Sequence, residues 1–179
     1  AACLTPLFLN EDESLSVFLG NTYATNNNFV GGDYAESGAS GGLQGNGSNK
    51  YLDTGFVPSS ISELGPNTGG QLVYCRTQTP AALSTLMGSS DQGVPQSQYR
   101  IRYLTGLEYA LFFQGAVSDA IVDARGLGIG RRVSSTSLDI YKDGAFEVNQ
   151  SGGVVTVKKP AYAISVFCQN VDGSKNQFT

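Results

Sequence analysis

The sequence contains no histidine and no tryptophan, and it has only one methionine. Without an imidazole group the chain cannot form a Ser-His-Asp or Cys-His nucleophile, because both use histidine as the general base. The same absence removes every metal centre that depends on histidine ligands. The cysteines show no CxxC spacing either, so a zinc cage is excluded on ligand count.

The chain has three cysteines, an odd number for a disulfide framework. Two of the three, Cys75 and Cys168, lie inside apolar runs that are typical of strands. A free cysteine in such a position behaves as a small hydrophobic side chain. We therefore predict buried free thiols rather than a disulfide, with Cys3 as the third cysteine.

Charged side chains are also scarce, at 15% of the chain against about a quarter in an average soluble domain. The net charge is −4, and basic residues are adjacent only at Arg131-Arg132 and Lys158-Lys159. Nucleic-acid binding needs a dense cationic face, so this function class is not favoured. Low charge with 23 glycines and many Ser, Asn and Thr residues is typical of β-rich extracellular, viral or adhesive domains.

No apolar run approaches the ~18 residues that are needed to cross a bilayer. The N-terminal stretch "AACLTPLFLNEDES" has no starting methionine and no basic region, so it is not an intact signal peptide. We therefore expect a fragment or a processed product of a longer chain. A length of 179 residues suits one domain with a real core.

Short runs of alternating polar and apolar residues, separated by turn sequences, predict an all-β chain. The clearest are two hairpins, "QYRIRYLTGLEYALFF" and "SLDIYKDGAFEV", and Asp143-Gly144 in the second suits a type I′ turn. Further strands are predicted at 14–19, at 71–77, before a turn at 88–91, at 154–159 and at 161–170. The polar stretch 20–49 is predicted as surface loop with at most one short strand, near Phe29.

Two glycine-containing segments invite a functional interpretation. In "GNGSNKYLDTGF", residues 45–56, we predict a turn at 45–48 and a strand at 50–57, with Asp53 explained by the polar face of that strand. "RGLGIGRR" has the spacing G-x-G-x-G and no helix after it, so it does not match a dinucleotide-binding motif. We predict a strand whose face of Gly126, Gly128 and Gly130 lets a large aromatic side chain or another backbone pack closely.

Paired carboxylates are the one catalytic device that remains without histidine, as in retaining glycosidases with carboxyls about 5 Å apart. The available pairs are Glu11 with Glu13 and Asp119 with Asp123. Neither pair alternates within an aromatic strand, so we predict that the chain is not an enzyme. A glycoside hydrolase of the glucanase type is kept as a less favoured alternative.

Calcium is the cofactor that the sequence leaves open, since hard cations prefer loops rich in oxygen ligands. The aspartates considered for such a site are Asp33, Asp53, Asp91, Asp123 and Asp172. Aspartate in such places more often serves the backbone of a turn. No ligand set is therefore assigned, and no other cofactor is predicted.

Sugar binding uses aromatic side chains together with a few polar groups. Most of the nine tyrosines alternate into predicted strands and are interpreted as half-buried core, whereas Tyr23 and Tyr34 lie in the polar loop region. The arginine pairs 100/102 and 131/132 offer contacts to an anionic glycan. Solvated strand faces are the plainer interpretation of those arginines.

The segments "LQGNGSNKYLDTGFVPS", "VYCRTQ", "LMGSSD", "LDIYKDGAFEV" and "AISVFCQNVDGS" occur in an order that resembles concanavalin A-like, laminin-G-like jelly-roll domains. The resemblance spans residues 29–174 and is strongest to modules of bacteriophage virion proteins, such as tail-fibre, attachment and decoration proteins. It implies an antiparallel two-sheet jelly-roll sandwich without catalytic activity. Such domains continue past "NVDGS" into further strands, so the closing strands are expected to be missing or to come from elsewhere.

We therefore expect an N-terminal segment at 1–28, with an opening strand and a polar loop, followed by the sandwich at 29–179. The expected function is a surface module of the virion, extracellular, that binds a host-surface carbohydrate or other virion proteins, with a homo-oligomer left open. A purely structural assembly or decoration protein is the alternative. Ligand contacts are predicted on the loops 26–33 and 89–98 and near them, at Asn28, Asp33, Tyr34, Asp91, Gln92, Gln98 and Arg100.

Overall fold

The computed structural model describes residues 24–35, 42–62, 64, 69–77, 84–92, 97–103, 107–111, 117–118, 123–151 and 158–176. This part of the chain is all-β, as predicted. Its helical elements are two three-residue 3-10 turns, Gly31–Asp33 and Pro58–Ser60. No helix in these ranges has the length and apolar character of a membrane span.

The strands in these ranges are numbered here in chain order. They are β1 (Thr25–Asn27), β2 (Tyr34–Ala35), β3 (Gly42–Leu43), β4 (Tyr51–Asp53), β5 (Gly70–Cys75), β6 (Ser84–Asp91), β7 (Ser97–Tyr103), β8 (Leu107–Leu111), β9 (Val117–Ser118), β10 (Gly126–Ser134), β11 (Ser137–Lys142), β12 (Ala145–Ser151), β13 (Ser165–Val166), β14 (Gln169–Val171) and β15 (Ser174–Asn176).

Two sheets face each other in a β-sandwich-like arrangement. The larger sheet has the order β1-β4-β13-β6-β7-β8-β9, with β14 pairing to β6 and β15 to β14, and the smaller sheet has the order β12-β11-β10-β5. The core between them combines Leu138 and Ile140 of the smaller sheet with Ile101 and Tyr109 of the larger one. β2 and β3 form a separate two-stranded ribbon.

Both predicted hairpins are confirmed. Strands β7 and β8 pair antiparallel with Tyr103 opposite Leu107, and Ile101 lies opposite Tyr109 in the core. Strands β11 and β12 are joined by Asp143 at φ 50° and Gly144 at φ 85°. Positive φ at both central residues is what a type I′ turn requires. A strand is also confirmed at the segment predicted for 71–77, where β5 covers Gly70–Cys75.

The glycine-rich strand is also confirmed, as β10, and it explains how the two sheets approach each other. Gly130 faces the core directly beneath the fully buried ring of Tyr109. A Cβ atom at position 130 would lie 2.5 Å from Cδ1 and 2.9 Å from Cγ of that ring. The aromatic side chain therefore occupies the space that any residue larger than glycine would fill.

The segment 45–56 is a turn followed by a strand, as predicted, but the strand is shorter. The Asn46 side-chain oxygen accepts hydrogen bonds of 3.0–3.1 Å from the backbone N–H groups of Ser48, Asn49 and Lys50. Strand β4 then covers only Tyr51–Asp53 instead of 50–57. The chain turns away at Gly55, whose φ is 66°.

The predicted turn at 88–91 is wrong, because these residues continue strand β6. Gly88 lies opposite Arg100 of β7 and opposite Gln169 of β14. Ser89 and Ser90 are buried in the sheet. Hydrogen bonding to neighbours on both edges thus overrides the local turn preference of Gly-Ser-Ser-Asp.

The predicted strand at 161–170 is divided into β13 and β14, because the chain reverses at Phe167, whose φ is 69°. The Phe167 ring packs edge-on against Phe29, with 5.4 Å between ring centroids. Phe29 and Leu52 belong to a second buried cluster. The stretch 20–49 therefore contributes to a core, and its described part holds three short strands rather than one.

The predicted strand at 14–19 lies outside the described residues, and so do residues 154–157 of the strand predicted at 154–159. Lys158 and Lys159 are described and are not in a strand. Strand β1, which precedes the predicted domain boundary at residue 29, is hydrogen-bonded to β4 in the larger sheet.

Two of the three cysteines confirm the prediction of buried free thiols. Cys75 and Cys168 are both reduced and buried, while Cys3 lies outside the described residues. Burial raises the pKa of the Cys75 thiol to about 11 and that of the Cys168 thiol to about 12. Neither thiol is therefore a nucleophile at neutral pH, since the thiolate is the reactive form.

Candidate ligand-binding face

The first predicted contact loop is held in place by its own polar groups. Asn28 adopts a positive φ of 67° and donates a hydrogen bond of 2.8 Å to the carbonyl oxygen of Asn49. Asp33 accepts hydrogen bonds from the Lys50 ammonium at 2.6 Å and from the Val30 N–H at 2.8 Å. These two hydrogen bonds, the one from lysine first, lower the pKa of Asp33.

The second predicted contact loop is shorter than expected, because β6 extends to Asp91 and β7 begins at Ser97. Asp91 forms an ion pair of 2.8 Å with Lys158. The backbone N–H of Gln92 donates to the Asp172 carboxylate at 2.9 Å, which fastens the end of β6 to the turn between β14 and β15.

The two loops lie at opposite ends of the larger sheet. Asp53 pairs with Ser165 and Ser165 with Gly88, so these three residues share one row. Strands β4 and β6 run in the same direction, since each is antiparallel to β13. Lys50 precedes that row by three residues and Asp91 follows it by three, which separates them by about 20 Å along the strands. The loops do not form one combining site, and ligand binding by either of them stays a prediction.

The remaining predicted contact residues, Arg100, Gln98 and Tyr34, lie in strands. Arg100 is only 5% exposed, and its guanidinium donates a hydrogen bond of 3.0 Å to the Gln169 side-chain oxygen. Gln98 lies in β7 opposite Ser90, and Tyr34 lies in β2 opposite Leu43. Tyr34 thus directly follows Asp33 of the first loop, and Gln98 lies beside the second loop, one pair from Asp91, so only Arg100 lies further inside the sheet.

The carboxylates that were considered for catalysis and for calcium are bonded separately. Asp123 pairs with Arg125 at 2.7 Å, and hydrogen bonds from that arginine lower the pKa of Asp123 to about 2, so it stays ionised. Asp53 pairs with Lys175 at 3.0 Å. Within the described ranges, no three acidic or cysteine side chains form a group that could hold a metal ion. Glu11, Glu13 and Asp119 lie outside those ranges.

A different surface, the outer face of the smaller sheet, has large apolar side chains that are exposed to solvent. Along β5, Gln71 and Cys75 point inward and are buried, whereas Leu72 and Tyr74 point outward. Tyr74 is 67% exposed and Leu72 is 53% exposed. The interpretation of the strand tyrosines as half-buried core is therefore wrong for Tyr74.

Outward apolar side chains from all four strands form one continuous row. Leu72 lies opposite Ile129, Ile129 opposite Tyr141, and Tyr141 opposite Phe146, so the four residues cross the sheet from edge to edge. We call this the apolar row. The Tyr141 and Phe146 rings meet edge to face, with centroids 5.7 Å apart. Phe146 is 56% exposed.

A row of polar side chains runs beside the apolar row. Arg131 lies opposite Asp139, and Asp139 lies opposite Asn149; we call these three the polar row. Asp139 accepts hydrogen bonds from Asn149 at 2.6 Å, from Arg131 at 3.3 Å and from the Tyr141 hydroxyl at 3.4 Å. The guanidinium of Arg131 also lies 5.4 Å from the centre of the Tyr141 ring, a cation–π geometry.

The two rows, together with Tyr74 and its opposite neighbour Leu127 on the other side of the apolar row, are called the platform. Exposed rings beside planar hydrogen-bonding groups are the combination that sugar sites use. The polar groups are already fixed by one another before any ligand arrives. Such preorganisation reduces the entropy lost on binding.

The carboxylate of Asp139 is the centre of the polar row. The Asn149 hydrogen bond is the main cause that lowers its pKa, and Arg131 and Tyr141 act in the same direction against partial burial. Because this pKa is lowered on folding, its stabilising contribution is present above the unfolded value and is lost as the pH falls through the folded value.

We accordingly expect the stability difference between wild type and Asp139→Asn to be constant from about pH 8 to about pH 5 and to shrink below about pH 4. Urea unfolding of both proteins across this range measures the difference. A difference that grows as the pH falls below about 4 would contradict the assigned network.

The platform was not predicted from the sequence because a β-bulge redirects Phe146. Strict alternation puts Phe146 and Val148 on the same face. The register of β11 and β12 shifts between Ile140 and Tyr141, so Phe146 pairs with Tyr141 outside while Val148 pairs with Ile140 inside. The alternation in "QLVYC", with apolar residues on both faces, was the one available signal.

The two side chains of the adjacent pair Arg131-Arg132 lie on opposite faces of the smaller sheet. Arg132 points inward, is buried, and donates to the Ser135 carbonyl oxygen at 2.9 Å, whereas Arg131 points outward onto the platform. Burial lowers the pKa of Arg132. The platform therefore has one arginine rather than an adjacent pair.

Comparison with known proteins returned no relationship: no family model, no curated protein and no solved structure matches this chain.

Proposed function

We propose that the chain is a non-catalytic surface interaction module that binds a glycan through the platform. In this proposal the sandwich is a jelly roll of the concanavalin A-like kind. The module belongs to the surface of a bacteriophage particle, where it recognises a host-surface carbohydrate. The jelly-roll and virion parts of the proposal rest on the resemblance of the sequence motifs alone.

The observation that carries the glycan proposal is the apolar row, flanked by a fixed polar row. Surface apolar side chains usually occur singly, whereas here four of them from four strands are in register. Sugar rings present apolar C–H faces that stack on aromatic rings, and hydroxyl groups that pair with both donors and acceptors. Arg131 supplies donors, and the exposed amide of Asn149 supplies an acceptor oxygen, while the buried carboxylate of Asp139 holds both side chains in place.

Assembly with other virion proteins is the second candidate function. It is favoured by the position of Leu72, Tyr74 and Phe146 on β5 and β12, the two edge strands of the smaller sheet. Edge strands with exposed apolar side chains recruit partner chains. Light scattering at two concentrations tests this candidate, which predicts a stable trimer or larger oligomer.

The glycan proposal is tested on a glycan array with the wild-type chain and a Tyr74→Ser/Phe146→Ser variant. Both rings are more than half exposed, so their truncation is expected to leave the fold intact. We expect specific retention of a glycan by the wild type and a loss of affinity of about tenfold or more in the variant.

Val30→Ser is the comparison variant, because Val30 is an equally exposed apolar residue that lies away from the platform, in the first predicted contact loop, so a loss of binding in this variant would place the glycan on that loop instead. The comparison variant is expected to bind like the wild type. An array without any specific glycan, or a platform variant that binds unchanged, would reject the proposal. An oligomer that Tyr74→Ser/Phe146→Ser dissociates would favour assembly instead.

A further inference from the structure

The platform is open at both ends of the apolar row. Leu72 stands on β5 and Phe146 on β12, and in the described part of the chain no strand of this sheet lies beyond either of them. Both side chains are more than half exposed. A ligand that follows the row can therefore continue past both edges of the sheet.

The dimensions of the platform suit a short stretch of a polymer. The row crosses three strand spacings, about 14 Å, and Gly70 to Tyr74 spans about 14 Å along the strand. The area is thus on the order of 200 Å², whereas a stable protein interface buries about 800 Å² on each partner. The platform alone is too small for a stable dimer. It has room for roughly three pyranose rings at the strand spacing of about 4.8 Å.

The charges on the platform cancel. Its charged members are Arg131 and Asp139, which form an ion pair of 3.3 Å. The whole chain carries a net charge of −4. A polyanionic glycan would therefore meet repulsion from the chain without an uncompensated cation on the platform. Hydroxyl groups, which both donate and accept, match the guanidinium of Arg131 and the exposed amide of Asn149.

We propose that the platform binds an internal stretch of about three residues of a linear, uncharged polysaccharide, an inference that rests on the proposed function. The polysaccharide crosses the four strands of the smaller sheet. The chain ends of the polysaccharide make no contact with the platform. A terminal sugar, by contrast, would require a site closed on one side.

The test uses four series of neutral oligosaccharides with one to six residues: β-1,4-glucan, β-1,3-glucan, α-1,4-glucan and β-1,4-mannan. Each hexamer is also prepared with its reducing end converted to the alditol. Oligogalacturonates and oligosialic acids serve as acidic probes. Affinities are measured by titration calorimetry with the wild-type chain, with Tyr74→Ser/Phe146→Ser and with Val30→Ser.

For at least one neutral series, we expect the affinity to rise about tenfold or more from monomer to trimer and then to level off. Conversion of the reducing end of the hexasaccharide to the alditol is expected to change its affinity by less than about twofold. The affinity is also expected to change by less than about twofold between about 0.05 and about 0.5 M NaCl, because a neutral ligand has no charge for the salt to screen.

Three results would overturn the inference while leaving glycan binding in place. They are a monomer that binds as tightly as the trimer, a hexamer whose binding is lost on end reduction, and binding of the acidic probes alone. Neutral binding that survives Tyr74→Ser/Phe146→Ser would instead reject the platform as the site. Absence of binding in every series would reject the inference, and the array then decides the proposed function: a specific glycan that the platform variant no longer binds keeps it, and no specific glycan rejects it.

Discussion

Gly130→Ala is expected to lower the free energy of unfolding by about 3 kcal/mol. The new Cβ would lie 2.5 Å from Cδ1, 2.9 Å from Cγ and 3.2 Å from Cβ of Tyr109. That ring is fully buried between the sheets, so relief requires a shift of β8 against β10 rather than a simple side-chain rotation. Urea unfolding with linear extrapolation measures the loss.

Gly32→Ala is the matched control for this substitution. A Cβ at Gly32 meets nothing within 4 Å, and the backbone there does not adopt a positive φ. The control is expected to change stability by less than about 0.5 kcal/mol. Equal stabilities of the two variants would show that Tyr109 does not pack on β10 as described.

Arg100→Ala is the second substitution with a large expected effect, a loss of about 3 kcal/mol in the free energy of unfolding. The guanidinium is buried and donates to Gln169 across the row that contains Gly88. Its removal leaves a buried acceptor with one donor fewer and a cavity where the long side chain lay. A loss of this size would show that Arg100 stabilises the fold, a role that is distinct from the ligand contact predicted for it.

Two further variants help to interpret the result for Arg100→Ala. Arg100→Met fills most of the volume and is expected to recover part of the stability, so the remainder reports the polar interaction. Arg125→Ala removes an arginine whose side chain is mostly exposed, and it is expected to leave the urea midpoint unchanged. A midpoint for Arg100→Ala equal to that of Arg125→Ala would contradict the buried position of Arg100.

Much of the fold could be predicted from local sequence alone. Alternation and turn chemistry act over a few residues, so they identify the hairpin around Asp143-Gly144 and the strand β10 correctly. The glycine face of β10 was predicted to admit a large aromatic side chain. Only the structure shows that this side chain is Tyr109.

The errors share a physical origin in pairing between distant segments. Residues 88–91 resemble a turn, yet β7 and β14 hydrogen-bond to both edges of this segment. The reversal at Phe167 is stabilised by its contact with Phe29, which is far away in sequence. Local sequence patterns carry no information about these contacts with distant segments, so the local preference gives the wrong prediction at both places.

The candidate site was missed for a related reason. The predicted contact loops were chosen as polar and loop-like, but their separation depends on the register between β4, β13 and β6. The platform depends on a register shift that reverses the direction of Phe146. Neither register is encoded within a single strand. Both follow from how the strands pair.

The most direct test of the central proposal is the location of a bound glycan on the chain. Amide chemical shifts of the wild-type chain are followed by NMR during titration with a neutral hexasaccharide that the array or the calorimetry identifies. The account predicts that the shifts concentrate on β5, β10, β11 and β12, around Leu72, Tyr141 and Phe146. Shifts confined to the ends of the larger sheet, around Asn28 and Asp33 or around Asp91 and Gln92, with the platform unchanged, would contradict it.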